Sequence, residues 1–96
     1  MEKRKQTRKD IQALVDFVSP GWSYLRTIGN ISTDGMFIRT RDIIPPGDEL
    51  TMRFGLEGQH IKIRGKVEWA KHDGIGISFL PGSEKERLKP LVDMIT

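Results

Sequence analysis

Five residues of this chain have the types and spacing to hold a planar anion. Arg4 and Arg8 form an Arg-x-x-x-Arg pair, and side chains so spaced can project to the same side of either a helical or an extended segment. Each guanidinium can grip a phosphate through two parallel N–H donors, stack on a base, or meet guanine O6 and N7. Further along, Asn30-Ile31-Ser32-Thr33-Asp34-Gly35 reads as a polar turn. It offers an amide that donates and accepts, a hydroxyl, and a glycine free to take a positive φ. Two planar cations joined to such a turn suit a small, doubly anionic, purine-containing ligand. Taken singly, each pattern has a plainer account, a solvated charged terminus for the first and an Asx turn between strands for the second. It is their conjunction within one small domain that carries the functional reading.

Charge placement separates the two halves of this arrangement. Lys3, Arg4, Lys5, Arg8 and Lys9, set against Glu2 and Asp10, hold the entire formal net charge of +3, and the remaining residues sum to zero. The expected organisation is a basic, mobile arm over residues 1–10 and a neutral domain over residues 11–96. An anion would be met at the arm, with Lys3, Lys5 and Lys9 adding long-range attraction and the arginines supplying specificity.

At 96 residues the chain is sized for one core and no second module. With no cysteine it has no disulfide, thiolate chemistry or Cys–zinc site. His60 and His72 lack ligand spacing, so no metal or other cofactor is expected. No Ser, His and acid arrangement or paired carboxylates stand out, and the chain reads as a binder, not an enzyme. Nothing approaches the roughly 20 apolar residues of a membrane span, and the polar start precedes no signal-peptide core, so a cytoplasmic protein without membrane insertion is expected.

The elements that must position these groups are β-strands. Residues 11–18 are β-favouring, Ser19-Pro20-Gly21 turns the chain, and residues 22–28 return. After the Asn30–Gly35 turn come residues 36–39 and a rigid Ile44-Pro45-Pro46-Gly47-Asp48 loop. Leu50, Met52 and Phe54 alternate with polar residues, as do Ile61, Ile63, Val67 and Trp69. That alternation places Trp69 in the core, and Gly65 within the row suggests a bulge or bend. Ile75, Ile77 and Phe79 form a last strand after His72-Asp73-Gly74. Ser83 with Glu86 reads as a capping box for a helix carrying Leu88, Leu91, Val92 and Ile95, which Pro90 should kink or restart near Lys89. The fold class expected is all-β, a six-stranded antiparallel barrel with one C-terminal α-helix closing its open end.

With both motifs in such a barrel, the sequence resembles the PilZ domain, the bacterial receptor module for the second messenger cyclic di-GMP. The resemblance rests on Arg4-x-x-x-Arg8, Asn30-x-Ser32-x-x-Gly35, the Pro46-Gly47 loop, the Gly65-Lys66-Val67-Glu68-Trp69 strand and Gly74-Ile75-Gly76-Ile77-Ser78-Phe79. It implies that Arg4 and Arg8 clamp guanine and phosphate groups, while Asn30, Ser32 and Gly35 bind a guanine edge and the phosphate backbone. Asn30 brings no charge, so its pull on a guanine N–H is weaker than a carboxylate's. The family binds either one ligand molecule or an intercalated pair, and the residue before the first arginine, here Lys3, influences which. Trp69 falls where some members place a large side chain against a guanine face. The resemblance implies a receptor or adaptor in which ligand folds the arm over the barrel and alters the surface offered to a downstream protein partner. Two other readings stay open. One is a nucleic-acid-binding barrel using the arm with exposed Trp22 and Tyr24, against which the neutral body argues; the other is a PilZ-like adaptor that binds only protein, against which the intact motifs argue.

Overall fold

Strand alternation sorts this chain into an inside and an outside. A computed structural model describes residues 9–19 and 21–95. Its elements are β1 (Lys9–Ser19), β2 (Trp22–Ile31), β3 (Gly35–Arg39), β4 (Glu49–Leu56), β5 (Gln59–Lys71), β6 (Gly74–Phe79) and α1 (Ser83–Asp93). The strands close into an antiparallel barrel in the order β1-β2-β3-β6-β5-β4, with β4 pairing back to β1. The closing seam joins Val15–Val18 of β1 to Thr51–Phe54 of β4. Val15 and Phe17 of β1, Leu50, Met52 and Phe54 of β4, and Ile61, Ile63 and Val67 of β5 fill the interior, while the residues between them on β4 and β5 are polar or glycine. The expected fold class and strand number are those observed.

The core is completed from outside the sheet. α1 contributes Leu88 and Val92, and the β3–β4 loop contributes Ile44. That loop is tied down by Arg26, whose Nε–H donates to Asp42 Oδ2 at 2.8 Å and to Thr40 Oγ1 at 3.3 Å. Thr40 Oγ1 also donates to the same carboxylate oxygen, and the guanidinium lies 5.5 Å from the Tyr24 ring centre. Tyr24 is half-buried and stacked on Phe17 at 4.8 Å, so of the two aromatics expected on the surface only Trp22 is well exposed.

The structure corrects three local expectations. The helix is capped by Gly82, not by a Ser83 capping box, because the cap takes φ 153° and ψ 179°, backbone that a glycine enters readily and a serine does not. Ser83 is thereby pushed to the first helical position, and no side chain caps the helix. Pro90 lies inside α1, which runs to Asp93 with no restart at Lys89. Gly65 makes no bulge: it keeps regular register opposite Leu50 and Phe79, and its bare Cα makes room for Ile77 and Met52, which a Cβ would meet at 2.5 and 2.7 Å.

The glycines therefore divide by what surrounds them. A Cβ at Gly35 would collide with the Ile77 carbonyl oxygen, a backbone atom, whereas at Gly55 the nearest such atom is Gln59 O at 3.9 Å. Gly35→Ala should destabilise the protein by about 1–3 kcal/mol through overpacking, and Gly55→Ala should stabilise it by about 0.4–1 kcal/mol through the unfolded state. Urea titrations of the two variants check both signs.

Candidate functional site

The Asn30–Gly35 segment is a strand end and a tight turn locked to the rest of the barrel. β2 runs on to Ile31, so Asn30 is a strand residue, paired with Asp10 of β1 and Phe37 of β3, and not part of the turn as expected. Ser32 is fully buried. Its N–H donates to Gly35 O at 2.8 Å, its hydroxyl donates to the same oxygen at 3.4 Å, and its Oγ accepts the Asp34 N–H at 3.3 Å. Phe79 N–H donates to Asp34 O at 2.8 Å, and Lys85 Nζ of α1 sits 3.2 Å from Asp34 Oδ1. The turn is thus fastened to β6 and α1, and Gly35 gives β3 the close approach to Ile77 just described.

Two bulges decide what faces outward beside it. In β2 the pairing with β3 shifts between Ile28 and Asn30, so Gly29 is an extra residue that leaves Ile28 and Ile31 both buried. In β5 it shifts between Val67 and Trp69, so Glu68 is extra. A one-residue slip reverses the side-chain parity of a strand. That slip corrects the reading of Trp69 as a core residue: its side chain is on the outer surface, 39% exposed, against 0% for Val67.

There the indole lies over Gly76, where a Cβ would strike the ring, and stacks beside Phe37 with centroids 5.6 Å apart and planes at 23°. Gly29 and Gly74 make the same room for Phe37. Lys71 Nζ is 5.2 Å from the Trp69 ring centre, and the Arg39 guanidinium is 5.7 Å from that of Phe37. Two flat rings on a glycine floor, with cations lying over them, can attract phosphate and, once those cations move aside, stack a base.

Trp69 is the wall between two surface pockets. One, of about 160 Å³, is lined by Ser32, Gly35, Glu68, Trp69 and Ser78 among others; the second, of about 340 Å³, is lined by Asn30, Phe37, Trp69, Lys71 and Asp73. The structure therefore brings Asn30, Ser32 and Gly35 around the Trp69 ring. Lys3, Arg4, Lys5 and Arg8 lie outside the described residues. Another cavity, of about 840 Å³, runs along β1 and β2 among Ile11, Leu14 and Thr27, and meets this surface at Gly29 and Arg39.

Sequence reasoning missed Phe37, Glu68 and Lys71, because each depends on a bulge or on what a facing glycine leaves open. The Gly74-x-Gly76 spacing, with glycine at alternate positions of one strand face, was the available sign that something large lies on that face. Among the described residues no group of His, Asp or Glu is arranged to hold a metal ion, and no helix is long and apolar enough to cross a membrane.

Comparison with known proteins agrees with this fold. The chain is similar in fold to the PilZ domain of CeSA from a cellulose-synthesizing bacterium, with TM-score 0.69 and 14% identity over 84% of this chain and 88% of that one. It is also similar to the Bacillus subtilis inhibitor of motility MotI/DgrA, with TM-score 0.79 and 15% identity over 97% of this chain. The match covers 49% of MotI/DgrA, so this chain spans about half of that protein. No curated protein sequence matches. The sequence model of the PilZ domain matches residues 2–95, nearly the whole chain, and the protein belongs to the PilZ domain family.

Proposed function

We propose that this PilZ domain is a cyclic di-GMP receptor, holding the ligand between the basic arm and the outer surface around Trp69. PilZ domains are in general receptors or adaptors for that messenger. The observation that carries the reading is the pairing of Asp10 with Asn30 and of Lys9 with Ile31. It delivers the chain that follows Arg4 and Arg8 directly beside the Asn30–Gly35 segment. That pairing supports a reading in which the two halves of the motif share one side of the barrel, the side that carries the exposed indole.

In this arrangement Arg4 and Arg8 clamp phosphate and guanine, Asn30 and the Ser32–Gly35 turn hold the ligand's polar edge, and Trp69 stacks on a base. Lys3 and Lys5 add attraction, and Lys3 favours an intercalated pair with its four phosphate charges. The residues before Lys9 act as an arm that closes on the ligand, Lys9 and Asp10 of the expected 1–10 arm being already paired in β1, and this disorder-to-order switch gives a downstream protein a changed surface. No catalytic step is required, and a cytoplasmic site of action fits a second messenger.

Removing one partner of a desolvated, hydrogen-bonded charge pair costs several kcal/mol, so Arg8→Ala should weaken cyclic di-GMP binding on the order of a hundredfold. Titration calorimetry with the wild-type protein and this variant gives affinity and stoichiometry together; equal affinities would remove the arm from the site. In a Trp22→Phe background Trp69 is the sole tryptophan, and its emission should change on binding, while Trp69→Ala should weaken binding by about 1–3 kcal/mol per stacked base.

One observation favours a second reading, a single-stranded nucleic-acid binder. Arg53 of β4 stands directly opposite Lys62 of β5, with exposed Arg64 and Lys66 on the same outer face, although Arg64 is paired with Glu49. That reading expects oligonucleotide affinity to fall steeply with salt, by a slope of about 0.7 per phosphate neutralised. A gel-shift series from low to high salt, with no retained oligonucleotide at any step, disposes of it.

A further inference from the structure

Glu68 and Trp69 are sequence neighbours on a strand, and in regular β-structure their side chains would point to opposite faces. The bulge between Val67 and Trp69 removes that opposition: both are exposed and both line the pocket of about 160 Å³ beside Ser32. The Glu68 carboxylate does not dangle, since Ser78 Oγ donates to its Oε2 at 2.6 Å from the next strand. A carboxylate offers about four acceptor positions, and Ser78 takes one of them. Asp34, the other acid of this pocket, holds Lys85 of α1. The Asn30 amide, across the indole, carries no charge.

We infer that Glu68 is a specificity-determining residue, accepting the N1–H and 2-amino donors of a guanine stacked on Trp69. This deepens the receptor reading above and rests on it. The chemistry is selective because the Watson–Crick edge of guanine carries two adjacent donors, which match the two oxygens of a carboxylate. Adenine presents a bare ring nitrogen at the equivalent place, a lone pair aimed at an anion. Hypoxanthine keeps N1–H but lacks the 2-amino group. Once a base stacked on Trp69 covers the carboxylate, an acceptor left without its donor penalises the wrong ligand more than the contact rewards the right one. Ser78 is the positioning residue, acting through the orientation of the carboxylate.

The test uses three pure probes, cyclic di-GMP, cyclic di-IMP and cyclic di-AMP, titrated calorimetrically into the wild-type protein, Glu68→Gln and Ser78→Ala. A bidentate edge contact is worth about 1–3 kcal/mol of discrimination, so the wild-type protein should prefer cyclic di-GMP over cyclic di-IMP by about fivefold to a hundredfold. Glu68→Gln should bring that ratio close to one, and Ser78→Ala should leave it in between. Both positions are on the outside of the barrel, and matching thermal melts establish that the variants fold. An unchanged preference in Glu68→Gln overturns the inference while leaving the receptor reading intact. So does a uniform gain in affinity for all three probes, which would make Glu68 only a repulsive neighbour of the phosphates. Failure of the wild-type protein to bind any of them removes the receptor reading, and this inference with it.

Discussion

The pleat of a β-strand alternates its side chains between two faces, and a small closed barrel has no spare strand to devote to a site. Each strand must fill the core with one set of residues and build any binding surface with the other. In β5 this constraint is met by a single extra residue. Ile61, Ile63 and Val67 pack inward in strict alternation, and Trp69 would follow them if the register held. The shift at Glu68 sends the indole outside, with a carboxylate beside it. Gly29 does the equivalent in β2, letting Ile28 and Ile31 both stay buried while Asn30 keeps its place opposite Phe37. Core and candidate site are therefore separable in this protein because ladders are locally broken, in β2–β3 and β5–β6 and also in β1–β2 between Asp10 and Ala13.

The turn between β2 and β3 meets a different demand, for rigidity. Ser32 is a plausible ligand-binding residue by type, and it is also the staple of its own turn, with its hydroxyl and N–H both directed at Gly35 O. Those roles do not exclude each other. A turn fixed to β6 through Phe79 and to α1 through Lys85 presents its groups without further loss of conformational entropy on binding. The bland reading of the motif, an ordinary turn joining two strands, is what gives the functional reading its geometry.

Much of this was legible in the sequence, and the boundary is physical. The alternation of Leu50, Met52 and Phe54, and of Ile61, Ile63 and Val67, marked β4 and β5 because a half-wet strand has no other way to be written. Strand number, antiparallel pairing and the terminal helix followed from turn residues and apolar spacing. Bulges left a less dependable mark: Gly29 is a glycine at a bulge. Gly65 has the composition of one and is regular, and Glu68 does not have it and is bulged. Which residue is extra depends on the partner strand, a contact distant in sequence. The helix start failed for a similar reason: Ser83 and Glu86 have capping-box spacing, but the path out of β6 through Pro81 places Gly82 at the cap in a conformation that Ser83 would not adopt readily.

Net charge was the coarsest part of that reading, and the structure gives it direction. The formal charge of residues 11–96 is zero, yet exposed cations gather on the outer face of β4 and β5, with Arg53 facing Lys62 across the ladder. Like charges set directly opposite destabilise a sheet, and here Asp16 of β1, opposite Arg53 on its other side, offsets the repulsion from Lys62. Arg39 and Lys71 lie instead over the aromatic rings of the candidate site. A cation over a ring is held there by less than a desolvated ion pair would hold it, and it can shift to a phosphate that arrives beside that ring. Neutrality in sum is thus compatible with a surface that carries cations over the rings of Trp69 and Phe37.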